Sequence, residues 1–295
     1  MAASDDPNVV RRAQRVDIAR SVPLGVLLPL ESSILLTIAI KHFDAAWWVK
    51  WLVAAANGVG LLCAPFLTSL ARRSGRPVMV PAALLSAMGG TAMFVAAVGG
   101  LPGFVFGSVC VVAAVNVVYP LMTVTYERDF PPKELGRRVG WGQTVKVLVS
   151  AVAGLAMGQA LTEWPDQWWL VVVAGALASL AVAALHLRMP SEPLPRLPGV
   201  RTSALPHFHL LREDRRLTLT LAAWMLMGFG NLMLLPLRVE FLARPQYGIN
   251  ASAGRIAALT VAVPAAVRPL MLPVFAAIFD RMCFFAARML VNVLF

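Results

Sequence analysis

Long apolar runs separated by short polar connections recur along the chain from Val22 onward. Runs of about 18 residues or more with few charges match the length that crosses a bilayer as an α-helix. The expected spans lie at about 22–40, 47–70, 78–98 and 104–124, then from the loop ending at Arg138 to about Leu161. A sixth ends at Leu187, a seventh and eighth cover about 217–237 and 256–279, and a ninth begins near Phe284. The pattern predicts an all-α polytopic transmembrane bundle of eight full spans plus part of a ninth. Trp47, Trp48 and Trp51 open the second span, and Trp168 and Trp169 open the sixth, as an interfacial aromatic belt does.

The polar connections divide the chain into four parts. Residues 1–21 form an N-terminal arm carrying Arg11, Arg12, Arg15 and Arg20, in which Val9, Ala13 and Val16 have the spacing of a short interfacial helix. Residues 22–187 hold six spans. Residues 188–216 are rich in charge and in proline (Pro190, Pro193, Pro195, Pro198, Pro206), as expected of a linker between halves. Its end, Leu210 to Leu217, reads as a short amphipathic helix. Residues 217–295 make a partial second bundle.

Composition agrees with a membrane protein: 59% of residues are apolar and 14% are charged. The net charge of +11 raises nucleic acid as a partner, but the basic residues form no continuous face. Every second connection, starting with the N-terminal arm, holds 19 of the 26 Lys and Arg residues. Such alternation is topology rather than phosphate recognition, and it places the N-terminus in the cytoplasm. The expected location is a multi-pass position in the plasma (inner) membrane. Val22 to Ile40 is too long for the core of a signal peptide and lacks a small-residue cleavage site. Cys63, Cys110 and Cys283 are widely spaced and offer neither a metal site nor a disulfide framework. His42, His186, His207 and His209 all fall in connections. No nucleophile, acid–base pair or metal set clusters at one membrane face, so neither an enzyme nor a cofactor is expected.

A basic loop appears twice. Pro65 is followed eight residues later by Arg73, and Pro273 by Arg281, each at the end of a span, 208 residues apart. The first loop continues as Arg72, Arg73, Ser74, Gly75, Arg76, and the second contains Asp280 and Arg281. Internal repetition of this kind marks many transporter folds. With its six spans, long linker and repeated loop, the chain resembles the major facilitator superfamily. That family's loop signature is Gly-x-x-x-Asp-Arg-x-Gly-Arg-Lys/Arg. Arg73, Gly75 and Arg76 fit it, while Thr68, Arg72 and Pro77 depart from it. The second copy keeps Asp280 and Arg281 but has Ala276 and Cys283 at the glycine positions. Pro132 to Gly140 resembles the family's loop before the fifth span. The family has twelve spans, so the resemblance implies that the last three are absent. The fourth span lacks the embedded Arg of proton-coupled exporters, and the fifth, with Gly154 and Gly158, lacks the antiporter proline. A drug antiporter is therefore not expected.

The resemblance implies a secondary transporter of a small polar or anionic solute, working by alternating access with a proton or cation as the possible coupling ion. A truncated protein that does not transport and a membrane-embedded enzyme are the alternatives. It also implies a cytoplasmic gate at Arg72, Arg73, Gly75, Arg76, Asp280 and Arg281, where charge pairs hold helix ends together.

Charges inside spans are the candidate chemistry, because a bare charge at the bilayer centre costs about 3 kcal/mol or more. Glu31 lies about 13 Å into its span and Arg268 about 18 Å from the cytoplasmic end of its own, so both fall near the midplane. They are expected either to pair directly or to part around a substrate, with Glu31 taking a proton or cation and Arg268 an anionic or polar group. Lys146 is shallower, at about 12 Å, and suits either substrate binding or snorkelling. Asn57, Asn116 and Asn231 join the candidate site, with interhelical hydrogen bonding as their plainer role. Arg238 and Glu240 fall at the outer interface and are set aside.

Cysteines introduced at Ser74 and Ser203 test the topology. Both are expected to resist impermeant thiol reagents applied outside intact cells; ready labelling of both would invert the orientation.

Overall fold

The computed structural model describes residues 7–132, 134–194 and 210–271, together with Ala286 and Met289. The first helix, α1, spans Pro7–Lys41. Proline suits its first position, where no helical N–H is needed. Val10, Ala13, Asp17 and Arg20 are buried while Arg11, Arg12 and Arg15 are exposed, so one helical phase carries through from the arm into the span. The expected break at residue 22 is therefore absent: arm and first span are a single helix, because the inward face continues across Ser21 and Gly25. Pro29 lacks an N–H and crowds the preceding turn. A π turn at Leu30–Ile34 follows it directly, the wider geometry that interrupted helices use.

Helix α2 covers Trp47–Ser74 and stops at Gly75, whose φ of 63° is the left-handed turn that glycine adopts without strain. Helices α3 (Met79–Val98), α4 (Gly100–Asp129), α5 (Leu135–Glu163) and α6 (Trp168–Arg188) complete the first half. In the second half, α7 covers Arg215–Ala243 and starts at Asp214, whose carboxylate accepts from the backbone N–H groups of Arg216 and Leu217. Helix α8 covers Ala253–Met271 and contains a second π turn at Ala258–Ala262.

Among the described residues, α1 to α5, Pro165–Arg188 and α8 are seven helices long and apolar enough to cross a membrane. The expected seventh span falls inside α7, which is 29 residues long. The end of the eighth span and the ninth, apart from Ala286 and Met289, lie outside the described residues, as do Asp280, Arg281 and most of the linker. Leu62, Met88, Phe106 and Val152 are exposed, a surface that hydrocarbon solvates and water does not.

In the first half, α1 packs on α5 and α6, α3 packs on α4 and α6, and α2 packs on α4. Leu30, Ile34, Met93, Phe104, Val172 and Ala176 belong to its core. The halves meet along two seams. At one, Leu36 and Ile40 of α1 pack with Val239 and Ala243 of α7 and with Ala251 and Ile256. At the other, α5 lies against α8. A Cβ on Gly154 would sit 2.8 Å from Val261 Cγ1, and one on Gly158 would sit 2.5 Å from Ala257 Cβ. Small residues let membrane helices approach closely enough for dispersion to hold them.

Replacing Gly158 by Leu should therefore destabilise the protein by about 1–3 kcal/mol through overpacking. Gly136, beside which a Cβ would meet nothing within 4 Å, should accept Leu with little change. Thermal melting of the two purified variants in detergent compares them.

Candidate functional site

The π turn after Pro29 carries Glu31 on α1. Opposite it, Asn116 of α4 is buried, and its Nδ2 donates to Glu31 Oε1 at 3.0 Å and to Asn57 Oδ1 of α2 at 2.5 Å. The same nitrogen lies 2.8 Å from the Val112 carbonyl. An amide nitrogen has two hydrogens, so three acceptors share them. Close approach of the helices makes this cluster: a Cβ on Gly60, one turn from Asn57, would lie 2.6 Å from the Ala113 carbonyl and 2.8 Å from Asn116 Cβ.

Lys146 of α5 completes the charge balance. Gly25 brings α1 against it, since a Cβ there would lie 2.7 Å from the Lys146 carbonyl oxygen. The ammonium group stands 5.9 Å from the centre of the Tyr119 ring, within cation–π range. It interacts electrostatically with Glu31, Arg20, Asp17 and Arg268.

The structure thus brings Glu31, Asn57 and Asn116 into contact, with Lys146 in electrostatic range of the carboxylate. Arg268 sits on an exposed face of α8, and among the described residues no ion pair joins it to Glu31. The direct-pair arrangement gives way to an amide contact, because Asn116 already occupies the carboxylate. Asn231 lies within α7, but its side chain is outside the described residues. Of the expected gate, Arg72 is half-buried near the end of α2, Arg73 and Arg76 are exposed, and Gly75 ends the helix. The next residues pair with the chain leaving α6: the Val78 N–H donates to the Glu192 carbonyl at 3.1 Å. Asp280 and Arg281 lie outside the described residues.

Two charged clusters escaped sequence reasoning. Asp17 and Arg20 are buried one turn apart on α1, and both meet the Tyr126 hydroxyl of α4. Arg20 Nη2 donates to Asp17 Oδ1 at 2.7 Å and to Tyr126 Oη at 2.6 Å, and Tyr126 Oη donates to Asp17 Oδ1 at 2.6 Å. The phase of Val10 and Ala13 was the signal that these residues face inward. At the end away from the basic loops, Lys50 of α2 pairs with Glu240 of α7, and Arg244 pairs with Asp44 at 3.0 Å. Glu240, set aside as interfacial, instead joins the two halves. Nothing in sequence spacing links residues 190 positions apart.

Asn116→Leu should lower stability by about 1–3 kcal/mol, since it strands the buried oxygens of Asn57 and Glu31. The double variant Asn57→Leu/Asn116→Leu should cost less than the sum of the single changes, because the second removes a group already stranded. Melting of the four purified proteins closes the cycle.

The family profile described as Major Facilitator Superfamily matches residues 24–295, nearly the whole chain. No curated protein and no solved structure matches it. The matched stretch contains Glu31, Asn57, Asn116 and Lys146, within a helical bundle whose spans suit a bilayer. The chain belongs to the Major Facilitator Superfamily, a family of membrane transporters.

Proposed function

We propose that the chain moves a small polar or anionic solute by alternating access about the Glu31 site. The observation that carries this reading is the polar cluster on α1, α2 and α4, Glu31 with Asn57 and Asn116, set beside Lys146 within otherwise apolar spans. A half-buried carboxylate among amides holds a proton or a cation, and amide groups also hydrogen-bond a polar solute. Lys146 and Arg268 supply positive charge for an anionic group on the cargo.

The cycle follows from the cost of charge in hydrocarbon. An ionised Glu31 facing no water costs about 3 kcal/mol at the bilayer centre. The halves therefore rock most readily when a proton, a cation or the cargo neutralises it, and the group recharges once water reaches it. That rule couples solute to ion without any covalent step.

The ends of the helices act as gates. On the basic side, which positive-inside alternation assigns to the cytoplasm, Arg72 and Arg73 in the last turn of α2 and Arg76 just beyond it act with Asp280 and Arg281, which follow α8 in the sequence. On the other side, the Lys50–Glu240 and Arg244–Asp44 pairs close the halves and must break for that side to open. The membrane is the plasma (inner) membrane, with the N-terminus in the cytoplasm.

The test uses proteoliposomes loaded with a pool of polar metabolites and read by mass spectrometry. Wild-type protein should carry one class of solute across. Glu31→Gln and Arg268→Ala should each reduce that flux by about tenfold or more, the loss of one charge-assisted contact, with membrane insertion intact. Unchanged flux in both variants would refute the site.

A further inference from the structure

A cavity of about 530 Å³ opens between the halves at the end away from the basic loops, a size in the range of small-ligand pockets. Lys41, His42 and Asp44 line it from the end of α1, Trp168 from α6, and Arg244 and Asn250 from the second half. Glu31 does not line it.

Three observations point to a ligand. First, the charges are unevenly matched. Arg244 holds Asp44 at 3.0 Å, whereas Lys41 forms no ion pair among the described residues and meets only the neutral Asn250 Oδ1, at 3.5 Å. One cation facing the cavity is left without a carboxylate among the described residues. Second, the wall beside Lys41 is aromatic: the His42 and Trp168 rings lie 5.1 Å apart, and Trp168 is buried against Phe43 and Phe104. Such a wall takes a flat apolar body. Third, among the described residues Asp44 and Asn250 are the non-glycine residues with positive φ, 42° and 40°. Both line this cavity, and each meets a basic side chain across the seam between halves. Strained backbone held at one place needs a local reason.

We infer that this cavity binds a small organic anion, a carboxylate on a planar apolar body. The carboxylate accepts hydrogen bonds from Lys41 Nζ, and from the Arg244 guanidinium where Asp44 releases it, while the ring lies along His42 and Trp168. Lys41 belongs to the first half and Arg244 to the second, so the anion bridges the seam and favours the closed state of that end. This site is separate from the one around Glu31 and stands whether or not that one carries the cargo.

The experiment uses the full chain in nanodiscs of neutral phosphatidylcholine. Benzoate and its uncharged counterpart benzamide are titrated by saturation-transfer difference NMR. Benzoate should saturate and benzamide should bind about tenfold more weakly or not at all. Lys41→Gln should weaken benzoate by about tenfold or more, as loss of a charge-assisted hydrogen bond does, and Lys41→Arg should restore it to within about threefold. Asn250→Asp, a change of almost no volume that gives Lys41 a permanent carboxylate, should also weaken benzoate and guards against misfolding of the Gln variant. Equal binding of benzoate and benzamide, or unchanged binding in both Lys41→Gln and Asn250→Asp, would overturn the inference. So would a Glu31→Gln variant that loses benzoate as fully as Lys41→Gln does, since the anion would then sit at the central site. Loss of flux in Glu31→Gln with benzoate binding intact separates the two sites.

Discussion

A polar group in hydrocarbon has no water to turn to, and that constraint organises this chain. Each spanning helix satisfies its own backbone, which leaves side chains as the only groups that need help. Glu31 obtains it from Asn116, which is tied in turn to Asn57. Asp17 and Arg20 obtain it from each other and from Tyr126. Lys50 obtains it from Glu240 in the other half. Each of these clusters joins two helices or more, so satisfying the charge also fixes which helices are neighbours. Apolar faces alone specify less, because lipid tails compete with them on equal terms.

Close approach supplies the remaining specificity. Gly25 and Gly60 stand where α1 meets α5 and where α2 meets α4, and in each case the backbone they admit belongs to a polar side chain of the site, Lys146 or the helix of Asn116. Their role is therefore positional as well as cohesive. A larger residue at Gly60 would push the Asn116 amide out of reach of Glu31, and one at Gly25 would displace the Lys146 backbone, before either unfolded anything.

Much of the architecture was legible because bilayer thickness converts directly into run length. Helices long and apolar enough to span, and the stop of α2 at Gly75, follow from counting residues; Trp168, expected in an interfacial belt, is instead buried against Phe43 and Phe104. Partnership was less legible. Glu31 and Arg268 were expected at one depth, which made a pair attractive, but depth says nothing of azimuth, and Asn116 faces the carboxylate instead. Arg20 looked like one more topogenic arginine until the inward phase of Val10 and Ala13 is followed through Asp17. Glu240 looked interfacial because Lys50, its partner, lies on a different half, where no short-range pattern reaches. Asn57 and Asn116 were expected to hydrogen-bond between helices, and they do so with each other and with Glu31.

The two seams between the halves differ in kind, and the difference bears on how such a bundle moves. Near the middle, α5 rests on α8 through Gly154, Gly158, Ala257 and Val261, and the two π turns touch where Thr260 Oγ1 donates to Ser33 Oγ at 2.9 Å. Those groups are short, and contacts between short groups survive a change in crossing angle because little has to interdigitate. At the far end the apolar packing of Leu36 and Ile40 on Val239 and Ala243 is flanked by long charged pairs: Lys50 with Glu240, Arg244 with Asp44. Long pairs break over a few ångströms, and their charges are easily rehydrated at a membrane surface. A rocking of one half on the other would then keep the α5–α8 contact as its pivot and exchange the ion pairs for water. The π turns add to this, since a widened turn has a looser hydrogen-bond ladder and bends at less cost than a regular one. Glu31 rides on the first of these turns, so such a rocking would also turn the carboxylate proposed to meet the cargo.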